Sequence, residues 1–176
     1  IVVGAQETGL ASMQSFDALG VFSGTHVAPF GKERNGLAPS GGAACVILEN
    51  EHTFAERSPE HTAIAQLSGY GFSSNGTAIC TPDGRLEAVC MNNAVQNAQL
   101  EHTQIDAVLA HATGTPMGDK AEAEAITSCF PFGTYVVATK GHTGHECWMA
   151  GVSQAMQAVQ MLRYDFLPGV VGTEDC

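Results

Sequence analysis

Three short segments hold most of the residues able to do chemistry. The first is Pro29-Phe30-Gly31-Lys32-Glu33-Arg34-Asn35-Gly36, which leads through Gly41-Gly42 into an apolar run from residue 43. The second, His111-Ala112-Thr113-Gly114-Thr115-Pro116-Met117-Gly118-Asp119, follows an apolar run over 105–110. The third, Thr139-Lys140-Gly141-His142-Thr143-Gly144-His145, follows another such run and precedes a long apolar helical pattern. In open α/β sheets ligands gather beyond the carboxyl ends of strands. His111, His145 and Lys140 sit at two such ends and so form a common site. Singly, each residue has a plainer reading. A histidine near a strand end is most often a structural hydrogen-bonding group, Lys140 an ordinary ion-pair partner, and Gly114-Thr115 part of a tight turn. Only the combination of segments points to a site.

The elements that must position these side chains follow from periodicity. Strands are expected at 1–5, 43–48, 63–72, 105–110 and 135–139, with loops over 6–42 apart from a short helix near 13–19. Gly69 and Gly71 within the third strand mark a bulge or a close backbone approach. Pro82-Asp83-Gly84 reads as a turn before a helix over about 85–100, where Leu86, Val89, Cys90, Ala94 and Ala98 recur at threes and fours. Further helices are expected over 118–129 and 145–163. The last is apolar nearly all round, with one stripe of Met149, Val152, Met156 and Val159 and another of Trp148, Gly151, Ala155 and Leu162. Such a helix is buried on several sides. The alternation of strands and helices argues for an α/β layered fold with helices between sheets. Four or five strands barely enclose that helix, so the fold reads as incomplete.

Composition narrows the function classes. A chain of 176 residues buries a real core, and 44% hydrophobic with 14% charged residues excludes a disordered segment. Seven Lys and Arg against 18 Asp and Glu give a formal charge of −11, which argues against wholesale phosphate binding and so against nucleic acid. The low charged fraction implies that another chain covers part of the surface. No apolar run approaches the roughly 20 residues of a membrane helix, so no membrane span is expected. Ile1-Val2-Val3-Gly4 has no signal-peptide character and reads as a strand entered partway. Cysteines at 45, 80, 90, 129, 147 and 176 form no C-x-x-C pair, the pattern of reduced thiols in a cytoplasmic protein. His111, His142, His145, Glu146 and Cys147 are close in sequence or fold but lack paired zinc-ligand spacing, and a metal site is set aside.

The three segments together resemble the β-ketoacyl synthases of the thiolase superfamily, the condensing enzymes of fatty acid and polyketide synthesis. The family's H-G-T-x-T-x-x-G-D motif matches 111–119, with Ala112 for the glycine. Its S-T-K-x-x-x-G-H run matches 138–145, with Ala138 for the serine. Its P-F-D-x-x-R-x-G-F motif matches 29–37, with Gly31 for Asp and Leu37 for Phe. Order and intervals agree over almost the whole chain. The resemblance implies a thiolase-like layered α-β-α-β-α fold, incomplete in this chain. Residues 1–176 would form one ketosynthase domain lacking the nucleophile-bearing N-terminal part and the glycine-rich final strands. It implies decarboxylative Claisen condensation of acyl and malonyl thioesters on acyl carrier protein. His111 and His145 match the two active-site histidines, and Lys140 the lysine that orients the second site. Thr113 and Thr115 match the threonines that contact the phosphopantetheine arm. No cofactor of the chain's own is implied; the substrates travel on that arm.

The nucleophilic cysteine of the family falls upstream of residue 1 in this comparison. Cys45 aligns with a strand position where a cysteine is a small buried apolar residue. Cys147 lies two residues from His145, and on a helix those side chains diverge. Other departures are Gly41 where the family has an acid, Trp148 and Met149 where it has small residues that leave room for an acyl pocket, and Gln154 for a glutamate. A non-catalytic chain-length-factor-like subunit, paired with an active ketosynthase, is the alternative; its kind often loses the histidines retained here. Expected partners are acyl carrier protein and a ketosynthase chain, as homo- or heterodimer. Lys32, Arg34, Lys120 and Arg163 are too few and dispersed to dock an acidic carrier, so a companion subunit is expected to supply most of that surface.

Overall fold

Two strand pairs organise the chain, seen in a computed structural model that describes residues 1–176 apart from 24, 25, 58, 59, 61, 77–80, 132 and 174–176. β1 (Val2–Gln6) and β2 (Gly42–Val46) are antiparallel, in register from Val2 opposite Val46 to Gln6 opposite Gly42. β3 (Ala107–Leu109) and β4 (Tyr135–Val137) are parallel and joined through a helical crossover. The helices are α1 (Leu10–Ala18), α2 (Glu51–Arg57), α3 (Gly84–Asn97), α4 (Pro116–Cys129), α5 (Lys140–Thr143) and α6 (Ala150–Tyr164). α3 packs on α4, and α6 packs on β1 and β2.

Local chemistry explains the boundaries. Asp83 caps α3, its carboxylate accepting the Arg85 N–H at 3.0 Å, so the expected turn is the helix entrance. Pro116 occupies the first turn of α4, where its missing N–H costs nothing. One core cluster is Ala110, Ala112, Ile126 and Ala138, with Phe30, Met91, Val108, Phe130 and Val170 packed around them. Small side chains at the ends of β3 and β4 let α4 and the neighbouring loops approach closely.

Four expectations need correction. Residues 63–72 form no strand; they run unpaired along α3. The Tyr70 N–H donates to Asn97 Oδ1 at 3.1 Å, the Cys90 thiol donates to the Gly71 carbonyl at 3.2 Å, and Ser73 Oγ donates to the Leu86 carbonyl at 2.7 Å. Gly69 and Gly71 do mark a close approach, since a Cβ at Gly69 would stand 2.5 Å from the Ala94 carbonyl oxygen and one at Gly71 would meet that of Cys90. A strand also needs a neighbour, and among the described residues none lies beside Ile64, Leu67, Tyr70 and Phe72, all exposed. Second, α6 starts at Ala150 rather than 145, after a 3₁₀ turn over Cys147–Met149. Third, α6 is not enclosed: Ala150 and Ser153 are its buried residues, while Leu162 is 74% exposed. Fourth, Cys45 is exposed, because the two-stranded sheet is uncovered on its outer face. Cys80 and Cys176 lie outside the described residues. No helix among those described is long and apolar enough to cross a membrane.

Candidate active site

β3 and β4 end side by side, and the chain leaving each delivers one histidine. The imidazole centroids of His111 and His145 lie 5.1 Å apart with their planes at 89°, edge to face. Phe16 of α1 packs near His145, centroid to centroid 6.3 Å. Lys140, at the start of α5, is 1% exposed, and its Nζ has no hydrogen-bond partner. The expected grouping of His111, His145 and Lys140 is therefore present in the fold. His142 is elsewhere: it is exposed, and its Nε2 meets the Gly169 carbonyl at 2.8 Å.

The His111 loop is clamped by carboxylates from α4. Glu122 accepts the His111 N–H at 2.6 Å and the Ala112 N–H at 2.7 Å, one on each oxygen. Asp119 accepts the Gly114 N–H at 3.0 Å and the Phe30 N–H at 2.8 Å, tying the first segment to the second. Burial pushes both acids above the usual carboxylate range, against the pull of these N–H donors. The clamp holds Ala112 at φ +30°, a conformation natural to glycine. On the same loop the Thr113 and Thr115 hydroxyls are 3.1 Å apart, Thr113 buried and Thr115 half-buried.

The His145 loop is held by backbone instead. Its N–H donates to the Ala38 carbonyl at 2.7 Å, and its carbonyl accepts the Ser40 N–H at 2.9 Å. Glu146 is buried at 4% exposure; its Oε1 accepts from Ser153 Oγ at 2.8 Å and its Oε2 has no partner. Gln154 of α6 reaches the carbonyl of Ala110, just before His111, at 2.6 Å.

Both imidazoles are held down to about 4, first by desolvation among the surrounding protein atoms and second by the Lys140 cation. His111 is exposed at the rim and His145 half-buried, so both can meet a ligand. Burial also pushes the Lys140 ammonium below its ordinary value, while Glu122, Glu146 and Asp119 pull it back up. At neutral pH the site presents two neutral imidazoles beside a cation. That arrangement donates N–H to a developing oxyanion and repels protonation of the donors.

Cys147 is not on a helix with His145, as the sequence suggested. It sits at φ +49° before α6, with its thiol pointing at the His145 carbonyl at 3.5 Å. Burial and the neighbouring Glu146 push its thiol up, which leaves little thiolate. Met149 lines a hollow of about 450 Å³ between β2 and α6, whereas Trp148 is 86% exposed. Arg34 and Lys120 share the lining of a second hollow of about 570 Å³ with Asp119 and Glu124, while Lys32 and Arg163 are not among its lining. Among the described residues no group of three His, Cys, Asp or Glu could hold a metal ion. Periodicity missed Asp119, Glu122 and Glu146. The available signal was an i, i+3 pair of acids beginning a helix straight after the His111 loop.

Residues 64–174 match the family model described as beta-ketoacyl synthase, C-terminal domain. The 3-oxoacyl-[acyl-carrier-protein] synthase 2 of Coxiella burnetii is 32% identical over 152 residues, 84% of this chain and 36% of that protein. The crystal structure of a beta-ketoacyl synthase from Burkholderia phymatum STM815 superposes with a TM-score of 0.91 at 28% identity, over 98% of this chain and 43% of that one. The ketosynthase complex AntDE:AntF, a type II PKS acyl-carrier protein with its ketosynthase bound to the hexaketide, gives a TM-score of 0.82 at 26% identity, over 91% and 42%. The chain thus spans about two-fifths of the length of these relatives and takes up part of their layered, thiolase-like α/β fold. It belongs to the β-ketoacyl synthase family.

Proposed function

We propose that this chain supplies the two-histidine part of a site for decarboxylative Claisen condensation of acyl and malonyl thioesters carried on acyl carrier protein. The observation that carries the reading is the pair of neutral imidazoles at 5.1 Å beside the buried Lys140. The malonyl thioester carbonyl is received between His111 and His145. As CO2 leaves, the electron pair of the broken C–C bond moves onto that oxygen, and the two N–H donors stabilise the enolate. The enolate carbon then attacks the acyl thioester, and the acyl group's sulfur departs as thiolate. Lys140 adds positive potential where the enolate charge develops and keeps the imidazoles neutral. The thiol that carries the acyl group is not one of the described cysteines on this reading. Thr113 and Thr115 hold the amides of the phosphopantetheine arm; the chain needs no cofactor of its own.

The partners proposed are acyl carrier protein and a ketosynthase chain, homo- or heterodimeric, in the cytoplasm. The AntDE:AntF likeness and the free thiols at Cys45, Cys90, Cys129 and Cys147 support this. Arg34 and Lys120 are balanced by Asp119 and Glu124, which supports a companion supplying the basic docking surface.

The second reading is a non-catalytic, chain-length-factor-like subunit. It is compatible with Cys147, the thiol nearest in sequence to the imidazoles, being held against a carbonyl and kept protonated, as both readings expect. Release of CO2 from malonyl-acyl carrier protein separates the two. The catalytic reading expects His111→Ala and His145→Ala each to slow it about 10²–10³-fold, as for lost oxyanion donors. It also expects Thr113→Val to raise KM with little change in kcat. Equal rates in wild type and both histidine variants would leave the subunit reading standing alone.

A further inference from the structure

Lys140 is buried with no hydrogen bond on its Nζ, an arrangement that an ammonium tolerates only near a compensating negative charge. The carboxylates that act on it are Glu122 and Asp119 of α4 and Glu146 beside His145. The first two are committed. Each oxygen of Glu122 accepts a backbone N–H, from His111 and Ala112, and each oxygen of Asp119 does the same for Gly114 and Phe30. α6 carries no acid, and its Gln154 is spent on the Ala110 carbonyl. Glu146 differs. Ser153 fixes one oxygen, while the other is buried and unpartnered. A buried ammonium without an acceptor and a buried carboxylate oxygen without a donor therefore lie within each other's field.

We propose that Glu146 is the working counter-charge of Lys140, and through it a positioning residue for the imidazole pair. A bridging water, or a small rotation of the Lys140 side chain, completes the link while Ser153 holds the carboxylate still. Glu146 also faces His145, whose proton affinity it raises, and Cys147, whose thiol it keeps protonated. Lys140 opposes it at His145 and acts the same way on His111. Glu146 thus joins Glu122 and Asp119 in keeping the lysine charged, and the charged lysine keeps both histidines neutral. This inference rests on reading His111, His145 and Lys140 as a decarboxylating site.

The test uses the whole protein with any companion chain it is isolated with. Lysine is labelled with ¹³C at Cε, and Lys140→Arg assigns the Lys140 signal. Its titration midpoint is expected to fall by on the order of one pH unit in Glu146→Gln and to stay near the wild-type value in Glu146→Asp, which keeps the charge. The alkaline limb of malonyl-acyl carrier protein decarboxylation moves to lower pH with it. Glu146→Ser serves as a second charge-free variant should Glu146→Gln not fold. An unchanged midpoint in the charge-free variant overturns the inference, whatever the activity. A lowered midpoint in a protein that decarboxylates nothing supports the charge link and removes the catalytic reading instead.

Discussion

The two histidine loops reach the same site by different means. The His111 loop is fixed by side chains: Glu122 and Asp119 reach from one helix and spend all four oxygens on backbone N–H groups. The His145 loop is fixed by main chain, bridged to Ala38 and Ser40, and its neighbouring acid keeps one oxygen uncommitted. The first arrangement is rigid and costly to break, because buried N–H groups lose charged acceptors. The second is tolerant of side-chain change, and leaves its charge available to tune Lys140. Both arms bear on the charge of Lys140, but only the first uses its carboxylates to fix the loop.

The largest expected effect tests the clamp. Glu122→Ala orphans the N–H groups of His111 and Ala112, and should cost about 3 kcal/mol in urea denaturation. A cost below about 1 kcal/mol would mean that the loop is held by something else.

A middle-sized effect concerns the cation. The folded imidazoles sit at about 4, below the ordinary 6.5, so the unfolded chain binds more protons between those values. That contribution to stability is present above pH 6.5 and is lost as pH falls towards 4. The raised acids Glu122 and Asp119 act oppositely, taking up protons in the fold above the usual carboxylate range. Lys140→Met removes a charge that depresses His111, His145 and Glu122, so every one of these groups binds protons more readily in the folded state. The variant should therefore lose less stability than wild type between pH 6.5 and 4, read by thermal unfolding across that range. A steeper loss would contradict the sign.

The smallest effect tests the backbone-held arm. Ser40 Oγ is buried without a partner beside the His145 bridge, while its N–H does the holding. Ser40→Ala should be neutral or stabilising by up to about 1 kcal/mol. A loss of 2 kcal/mol or more would show a side-chain clamp on this arm too.

Much of this was legible in the sequence, for identifiable reasons. The site segments sit at strand ends, and a strand end fixes a position to within a residue or two. His111, His145 and Lys140 therefore meet as the spacing implied. The helix over 85–100 was legible because its apolar residues recur on one face. The stretch 63–72 was misread because strand composition does not supply the neighbouring strand that pairing requires. Cys45 and α6 were misjudged for a related cause. Apolar character foretells burial only when the covering layer is present, and among the described residues it is not. Asp119, Glu122 and Glu146 were invisible to periodicity because the partners of the first two are backbone N–H groups of other segments, and that of Glu146 is the Ser153 hydroxyl on α6. Such partners appear only once the loops are folded together.

The central claim is that His111 and His145 are a neutral pair of N–H donors. Titration of the ¹⁵N-labelled ring nitrogens measures it directly on the intact protein. The account predicts that both rings stay neutral from pH 7 down past pH 5 and take up protons only near pH 4. Midpoints at or above 6.5 for either ring would contradict it.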